Sequence, residues 1–205
     1  MEVHFKLFTE IGQMLWSPIR AFSETRINYW ASYATDLACP LVFAYLGFRN
    51  HFNWLSAMLE ILAGLAMFSF VEYSIHRWLL HNSKTPFFLL HEAHHAHPEK
   101  HIAFFFPTSI LTLLSAWILF GHLLHLEGAS FTICGFSVGY CYFGILHHLE
   151  HSSRINQLPF RWLQKRWAAH SVHHHLDRNN FGVITSFWDY VFETLPRRPE
   201  RKFTI

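Results

Sequence analysis

Histidine makes up 18 of the 205 residues, and ten of these stand in four tight groups. The densest is His170, His173 and His174. His91, His94 and His95 form a second group, and the pairs His76/His81 and His147/His151 complete the set. A neutral imidazole offers a nitrogen lone pair at physiological pH, which makes it a common metal ligand. Rings three or four residues apart on a helix face the same side and can hold one ion. That spacing applies to His91/His94/His95, His147/His151 and His170/His173/His174. His76 and His81 are five apart, about 140° round a regular helix. The pair is therefore expected at a fraying helix end or on different ions. One ion takes about four to six ligands, so ten rings suit two ions. All-imidazole ligation fits Zn, Fe, Cu or Ni. Two redox-active irons would bind and reduce dioxygen and attack an unactivated C–H bond, whereas two zinc ions would polarise a substrate and activate water.

Competing chemistries find little support. There is no GxGxxG or P-loop. Gly135-Phe-Ser137-Val-Gly139 has GxSxG spacing but lies in an apolar stretch of span length rather than at a strand-to-helix turn. His91-Glu92-Ala-His94-His95 has HExxH spacing but belongs to a set of ten clustered rings rather than to a lone zinc site. Cys39, Cys134 and Cys141 lie in apolar runs without CxxC spacing and read as small buried hydrophobes. A net charge of +2, with no basic block beside stacking aromatics, excludes a nucleic-acid partner. Other histidines read as bystanders or supports. His122 and His125 are interfacial polar residues, and His97 and His101 are loop residues. His148 and His175 adjoin ligand positions but leave the ligand face, which suits lining a substrate site or supporting a ligand ring. Glu72 precedes His76 by four in an apolar stretch, where a carboxylate is costly. It is expected to accept the free N–H of the His76 ring and orient it. Asp36 and Glu60 have no such partner.

The elements that must position these groups are apolar helices. The chain is 51% hydrophobic and 15% charged, against about 25% charged in soluble domains. Two stretches, between Lys100 and Glu127 and between Glu127 and Glu150, hold no Asp, Glu, Lys or Arg. Each has the roughly 20 apolar residues of a membrane span. Tyr29–Phe48 (with Asp36) and Trp54–Ile75 (with Glu60 and Glu72) are interrupted versions. Short junctions at 49–53 and 126–128 would fold them into two helical hairpins. The first 28 residues mix Phe and Trp with Lys and Arg and read as an interfacial segment rather than a signal peptide. Lys and Arg cluster before the first span, between the second and third, and after the fourth. By the positive-inside rule both termini and all four histidine groups are cytoplasmic. Endoplasmic reticulum and bacterial inner membrane fit equally. Beyond Pro159, Phe160–Leu176 reads as an amphipathic surface helix carrying the last histidines. Asn179-Asn-Phe-Gly182 is a turn signal. The expected fold is all-α: an integral-membrane four-helix bundle with a cytoplasmic His-rich helical cap. It forms one domain over 1–205, with its histidine-motif core at 72–195.

His76-x4-His81, His91-x2-His94-His95, His147-x3-His151 and His170-x2-His173-His174 together resemble the fatty acid hydroxylase/sterol desaturase superfamily. The ending Asn180-Phe-Gly-Val through Phe187-Trp-Asp-Tyr-Val-Phe-Glu-Thr194 is similar to that family's too. The likeness covers about Glu72 to Leu195. It implies a membrane-bound non-haem di-iron oxygenase that hydroxylates a lipid C–H bond with O2, on a fatty acyl chain, a sterol or similar. Carotenoid hydroxylation and lipid desaturation are the alternatives within the superfamily. The resemblance implies that the ten motif histidines hold two Fe ions, for which Zn can substitute in purified protein. No cytochrome b5-like domain precedes the spans, so electrons are expected from a separate donor protein such as cytochrome b5 or a ferredoxin. Two positions depart from the fatty acid 2-hydroxylase pattern: Ser152 stands where a histidine is usual, and Gly144 where an aspartate is. A rival of another class is a non-catalytic membrane protein that binds metal at the same rings.

Overall fold

The computed structural model describes residues 17–50, 53–85, 87–152 and 159–196, and among these all regular structure is helical. Helix α1 is Arg26–Asn50, and α2 is Trp54–Ser74, which runs into a π-helical turn at Ile75–Leu80. Helix α3 is Phe88–Ala96, and α4 is Pro107–Trp117, which also ends in a π turn, Ile118–Leu123. Then come α5 (Ala129–Glu150), α6 (Arg161–His175) and the short α7 (Phe187–Val191). Residues 17–23 are helical as well; the rest of the expected interfacial segment, 1–16, lies outside the described residues.

Local chemistry sets the helix starts. The Asn53 side-chain oxygen accepts from Leu55 N at 3.0 Å and Ser56 N at 3.1 Å, satisfying two N–H groups that open α2. Pro107 stands in the first turn of α4, where its missing N–H costs nothing.

Helix α5 is the centre of the packing, with α2 along one side and α1 along another. Its buried face is mostly small: Ala129, Ser130, Cys134, Gly135, Ser137 and Gly139. The crossing with α2 is a backbone contact in both directions. A Cβ on Gly135 would stand 2.1 Å from Ile61 O, and one on Gly64 would stand 2.0 Å from Thr132 O. Small residues at such crossings let apolar helices gain close dispersion contact. Helix α1 is tied to α5 by Cys141 Sγ donating to Asp36 O (2.9 Å) and Tyr33 Oη donating to Gly144 O (2.5 Å). The Asp36 side chain accepts from Ser109 Oγ of α4 at 2.7 Å, which supplies the partner the sequence did not reveal.

Two expectations about the spans change. Helices α1 and α2 pack chiefly on α5 rather than on each other, so the first junction does not make a packed hairpin. Glycine at the α2–α5 crossing draws α2 onto α5 instead. Beside this arrangement lies an apolar hollow of about 610 Å³ lined by Phe48, Trp54, Met58 and Phe131. The third apolar stretch is helical only from Pro107, with eleven α-helical residues and six in π geometry. Among the described residues, two helices are long and apolar enough to cross a membrane, Trp54–Leu80 and Ala129–Glu150. Their setting is inverted relative to a soluble core. Trp54 is 77% exposed and Leu55 62%, while Gly64, Ser137 and Gly139 are buried.

The remaining elements gather where α2 and α5 end. Leu146 of α5, Leu163 of α6 and Val183 form one buried cluster, which seats α6 against α5. Asn28, fully buried, donates to Phe104 O (2.9 Å) and accepts from Phe106 N (2.9 Å). It thereby pins the segment leading into α4 to the start of α1. Of the cysteines, Cys39 and Cys134 are buried and Cys141 partly so, all unbridged, as their apolar surroundings predict.

Candidate metal centre

The ten motif histidines converge from four elements into two adjoining groups. His76, His81, His91, His95 and His173 form the first, and His94, His151, His170 and His174 the second. Within each group one nitrogen per ring lies within 4.8 Å of all the others. His147 borders the second group, its Nε2 3.3 Å from His151 Nε2 and its ring 4.9 Å from that of His170. The groups touch where the His95 and His174 rings stack at 4.2 Å. Helix α3 serves both, giving His91 and His95 to one and His94 to the other. Helix α6 likewise divides His173 from His170 and His174.

His76 and His81, expected at a fraying helix end or on different ions, stand at a helix end and share one group. His76 lies in the π turn Ile75–Leu80 and His81 caps it, the i→i+5 closure being seen in His81 N donating to His76 O at 3.3 Å. A π turn takes more than four residues, so positions five apart return to one face, and such turns recur at functional sites. The 140° estimate for a regular helix fails for that reason, and both rings enter the first group.

Tautomers follow from hydrogen bonds. His76 Nδ1 lies 2.5 Å from Phe181 O and His173 Nδ1 lies 2.8 Å from Asn179 O. A carbonyl only accepts, so both Nδ1 atoms carry the proton and both Nε2 atoms present bare lone pairs. Those lone pairs face other ring nitrogens: His76 Nε2 is 3.2 Å from His91 Nε2, and His173 Nε2 is 3.1 Å from His81 Nε2. In the second group His170 Nε2 stands 3.0 Å from both His151 Nε2 and His174 Nε2. Ligand nitrogens about 2.1 Å from one ion lie about 3.0–3.4 Å apart. The donor set therefore fits a metal ion in each group.

The rings are also held neutral, as ligation requires. Burial is the main cause, and neighbouring imidazoles add to it. His81 and His151 are pushed down to about 4, His94 and His173 to about 3, and His174 to about 2. His91 and His170 are lowered as well, and burial alone lowers His95 against the pull of Asp177 and Glu92.

The supporting residues differ from those expected. Glu72 is buried but does not meet His76: its Oε1 accepts from Val183 N at 2.9 Å. The His76 N–H is already taken by Phe181 O, because the loop after α6 folds between the two. His175 is exposed, with Nδ1 bonded to Ser171 O of its own helix at 2.7 Å, and supports no ligand ring. His148 does line a cavity: its Nδ1 is 2.6 Å from Tyr29 Oη. That cavity, about 190 Å³, is lined by His94, His147 and His151 together with Tyr29, Lys100 and His101. Neither histidine group includes His122 or His125.

Sequence reasoning missed two carboxylates. Glu150, buried at the end of α5, has Oε2 3.7 Å from His170 Nδ1. Neither atom has a hydrogen-bond partner at that distance. Its place beside His151 was the available signal. Asp177, exposed, has Oδ1 3.4 Å from His95 Nδ1. The Phe181 and Asn179 carbonyls carry no side-chain signal at all.

An all-helical fold that brings these histidine motifs together defines a class before any comparison is made, and the comparisons agree. The model of the fatty acid hydroxylase family matches residues 61–194, and the chain belongs to that family. It is 32% identical over 142 residues to a dihydroceramide fatty acyl 2-hydroxylase of Arabidopsis thaliana, covering 65% of this chain and 59% of that one. To the fatty acid 2-hydroxylase of Macaca fascicularis it is 27% identical over 201 residues, covering 91% of this chain and 50% of the relative. The chain thus spans between half and three-fifths of these relatives' lengths. The solved structure described as full-length scs7p, with only the hydroxylase domain visible, shares the fold. Its TM-score is 0.69 at 24% identity, over 82% of this chain and 67% of that one.

Proposed function

We propose that this protein is a membrane-embedded lipid hydroxylase that places one oxygen atom of O2 on a C–H bond of a fatty acyl chain. The observation that carries this reading is the pair of adjoining imidazole groups, each with lone pairs aimed at a common centre. The family and the relatives the chain resembles, fatty acyl and fatty acid 2-hydroxylases, support this substrate class. The ten histidines would hold two iron ions, and zinc would be a catalytically silent substitute. Bound iron would supply the dioxygen and one-electron chemistry that a C–H bond demands.

The chain's own residues do the rest. His76 and His173 keep their protons on Nδ1 through loop carbonyls, leaving Nε2 free to ligate. The cavity beside His94, His147 and His151 would admit the reacting end of the substrate, and Lys100 at its edge would draw in an acidic or strongly polar headgroup. The Tyr29–His148 hydrogen bond braces its wall. The outward-facing Leu and Trp of α1 and α2 would meet lipid, in a four-span arrangement with the histidine groups as a cap on the cytoplasmic side. Electrons would come from a separate donor protein.

Lipid extracts from cells with and without the iron-loaded protein test this. A class of acyl lipid should gain the mass of one oxygen in its presence and lose that gain when His147 is changed to Ala. Protein that holds two metals yet leaves every lipid unaltered would instead be a non-catalytic metal binder.

A further inference from the structure

The loop that orients His76 and His173 is itself built around one buried side chain far from any histidine motif. Asp189, in α7, is fully buried. Its Oδ1 accepts from Phe181 N at 2.8 Å and Thr194 Oγ1 at 2.7 Å, and its Oδ2 accepts from Gly182 N at 2.9 Å. Three donors on one carboxylate are charge-assisted bonds, stronger and shorter than neutral ones. Two of the three are backbone N–H groups flanking the Phe181 carbonyl's residue, so Asp189 dictates where that carbonyl points.

The rest of the loop is tied to the same knot. Asn180 adopts the left-handed region with φ 54°, and its N–H bonds Thr194 O at 3.0 Å. Asn179 Nδ2 reaches Thr194 O at 3.1 Å, which fixes the residue whose carbonyl takes His173. Gly182 leaves no room for a side chain: a Cβ there would stand 2.1 Å from Thr185 O and 2.9 Å from Asp189 Oδ2. Thr194 Oγ1 also pairs with Tyr73 Oη at 3.0 Å, linking the knot to α2 three residues before His76. The loop's hydrogen bonds to imidazoles, from Phe181 O and Asn179 O, reach the first histidine group, while Asn180 Nδ2 anchors the loop on Ala169 O of α6 at 3.1 Å. In the second group Glu150 Oε2 stands 3.7 Å from His170 Nδ1, beyond hydrogen-bond reach.

We propose that Asp189 is a positioning residue for the first metal alone. By gathering Phe181 N, Gly182 N and Thr194 Oγ1 it holds two loop carbonyls on the Nδ1–H of His76 and His173. The inference rests on the two-metal reading above and goes beyond it, because it predicts that the two sites can be uncoupled by a residue that touches neither.

The test is metal counting in the full chain, purified in detergent, loaded anaerobically with ferrous iron and challenged with a chelator. Wild type should keep about two irons per chain. Asp189→Asn exchanges an acceptor oxygen for an N–H donor at the centre of the knot. It should release one iron about 10- to 100-fold faster while the other stays at the wild-type rate. Thr194→Val removes one of the three donors and should move the same iron in the same direction by less. If Asp189→Asn does not fold, as judged by size exclusion and helical circular dichroism, the Thr194→Val release rates decide. Two irons lost together, or two retained at wild-type rates, would overturn the proposal. Wild type that binds no iron would instead overturn the metal reading itself.

Discussion

The two histidine groups are built from the same side chain, but their rings meet different neighbours. In the first, His76 and His173 donate to neutral backbone carbonyls of a loop that is more than a hundred residues from His76 along the chain. In the second, no such bond holds His170: its Nδ1 stands 3.7 Å from Glu150 Oε2, beyond hydrogen-bond reach, and neither atom has another partner. A hydrogen-bonded partner fixes the orientation of an imidazole. Orientation in the first group therefore depends on tertiary folding of the loop, whereas His170 is left without that tie. Two groups of one residue type are thus not equivalent.

The largest effects should come from the ligands themselves. His76→Ala and His174→Ala should each abolish turnover, by more than about 100-fold, while removing different ions: each variant should keep about one iron per chain. Elemental analysis checks this, with His175→Ala as a control that keeps both irons and most turnover. If either ligand variant lost both ions, the two groups would be one cooperative centre and the contrast would fall.

Glu150→Gln sharpens the contrast from the other side. It keeps the volume and exchanges a carboxyl oxygen near His170 for an amide, so the second metal should bind about 10- to 100-fold more weakly. The first should be untouched. Chelator competition on the ferrous protein measures both affinities, and equal weakening of the two ions would show that Glu150 acts through the fold.

Acid should produce the smallest difference between the groups. His81 in the first and His151 in the second are each pushed down to about 4 by burial, against about 6.5 in an unfolded chain. Between those values the unfolded state binds more protons, so stability falls as pH drops. Metal-free protein should therefore lose thermal stability steadily from about pH 6.5 to about pH 4. Thermal scans in detergent at stepped pH test this. An unchanged midpoint across that window would mean the rings are solvated rather than buried.

What the sequence determined by itself was which histidines cluster and the helical character around them. His91/His94/His95, His147/His151 and His170/His173/His174 follow the period of an ordinary helix, so their shared faces could be read directly. The predicted Phe160–Leu176 helix appears as Arg161–His175 for the same reason. Only the tertiary structure decided how the rings divide, because α3 and α6 each feed both groups and helical period says nothing about which neighbour a face meets. The π turn that unites His76 with His81 depends on a backbone closure that residue types do not announce. Glu72 was legible as a buried carboxylate with a job, but its partner was not. A loop from the far end of the chain takes both its bond and the one expected of it, through main-chain atoms that every residue shares.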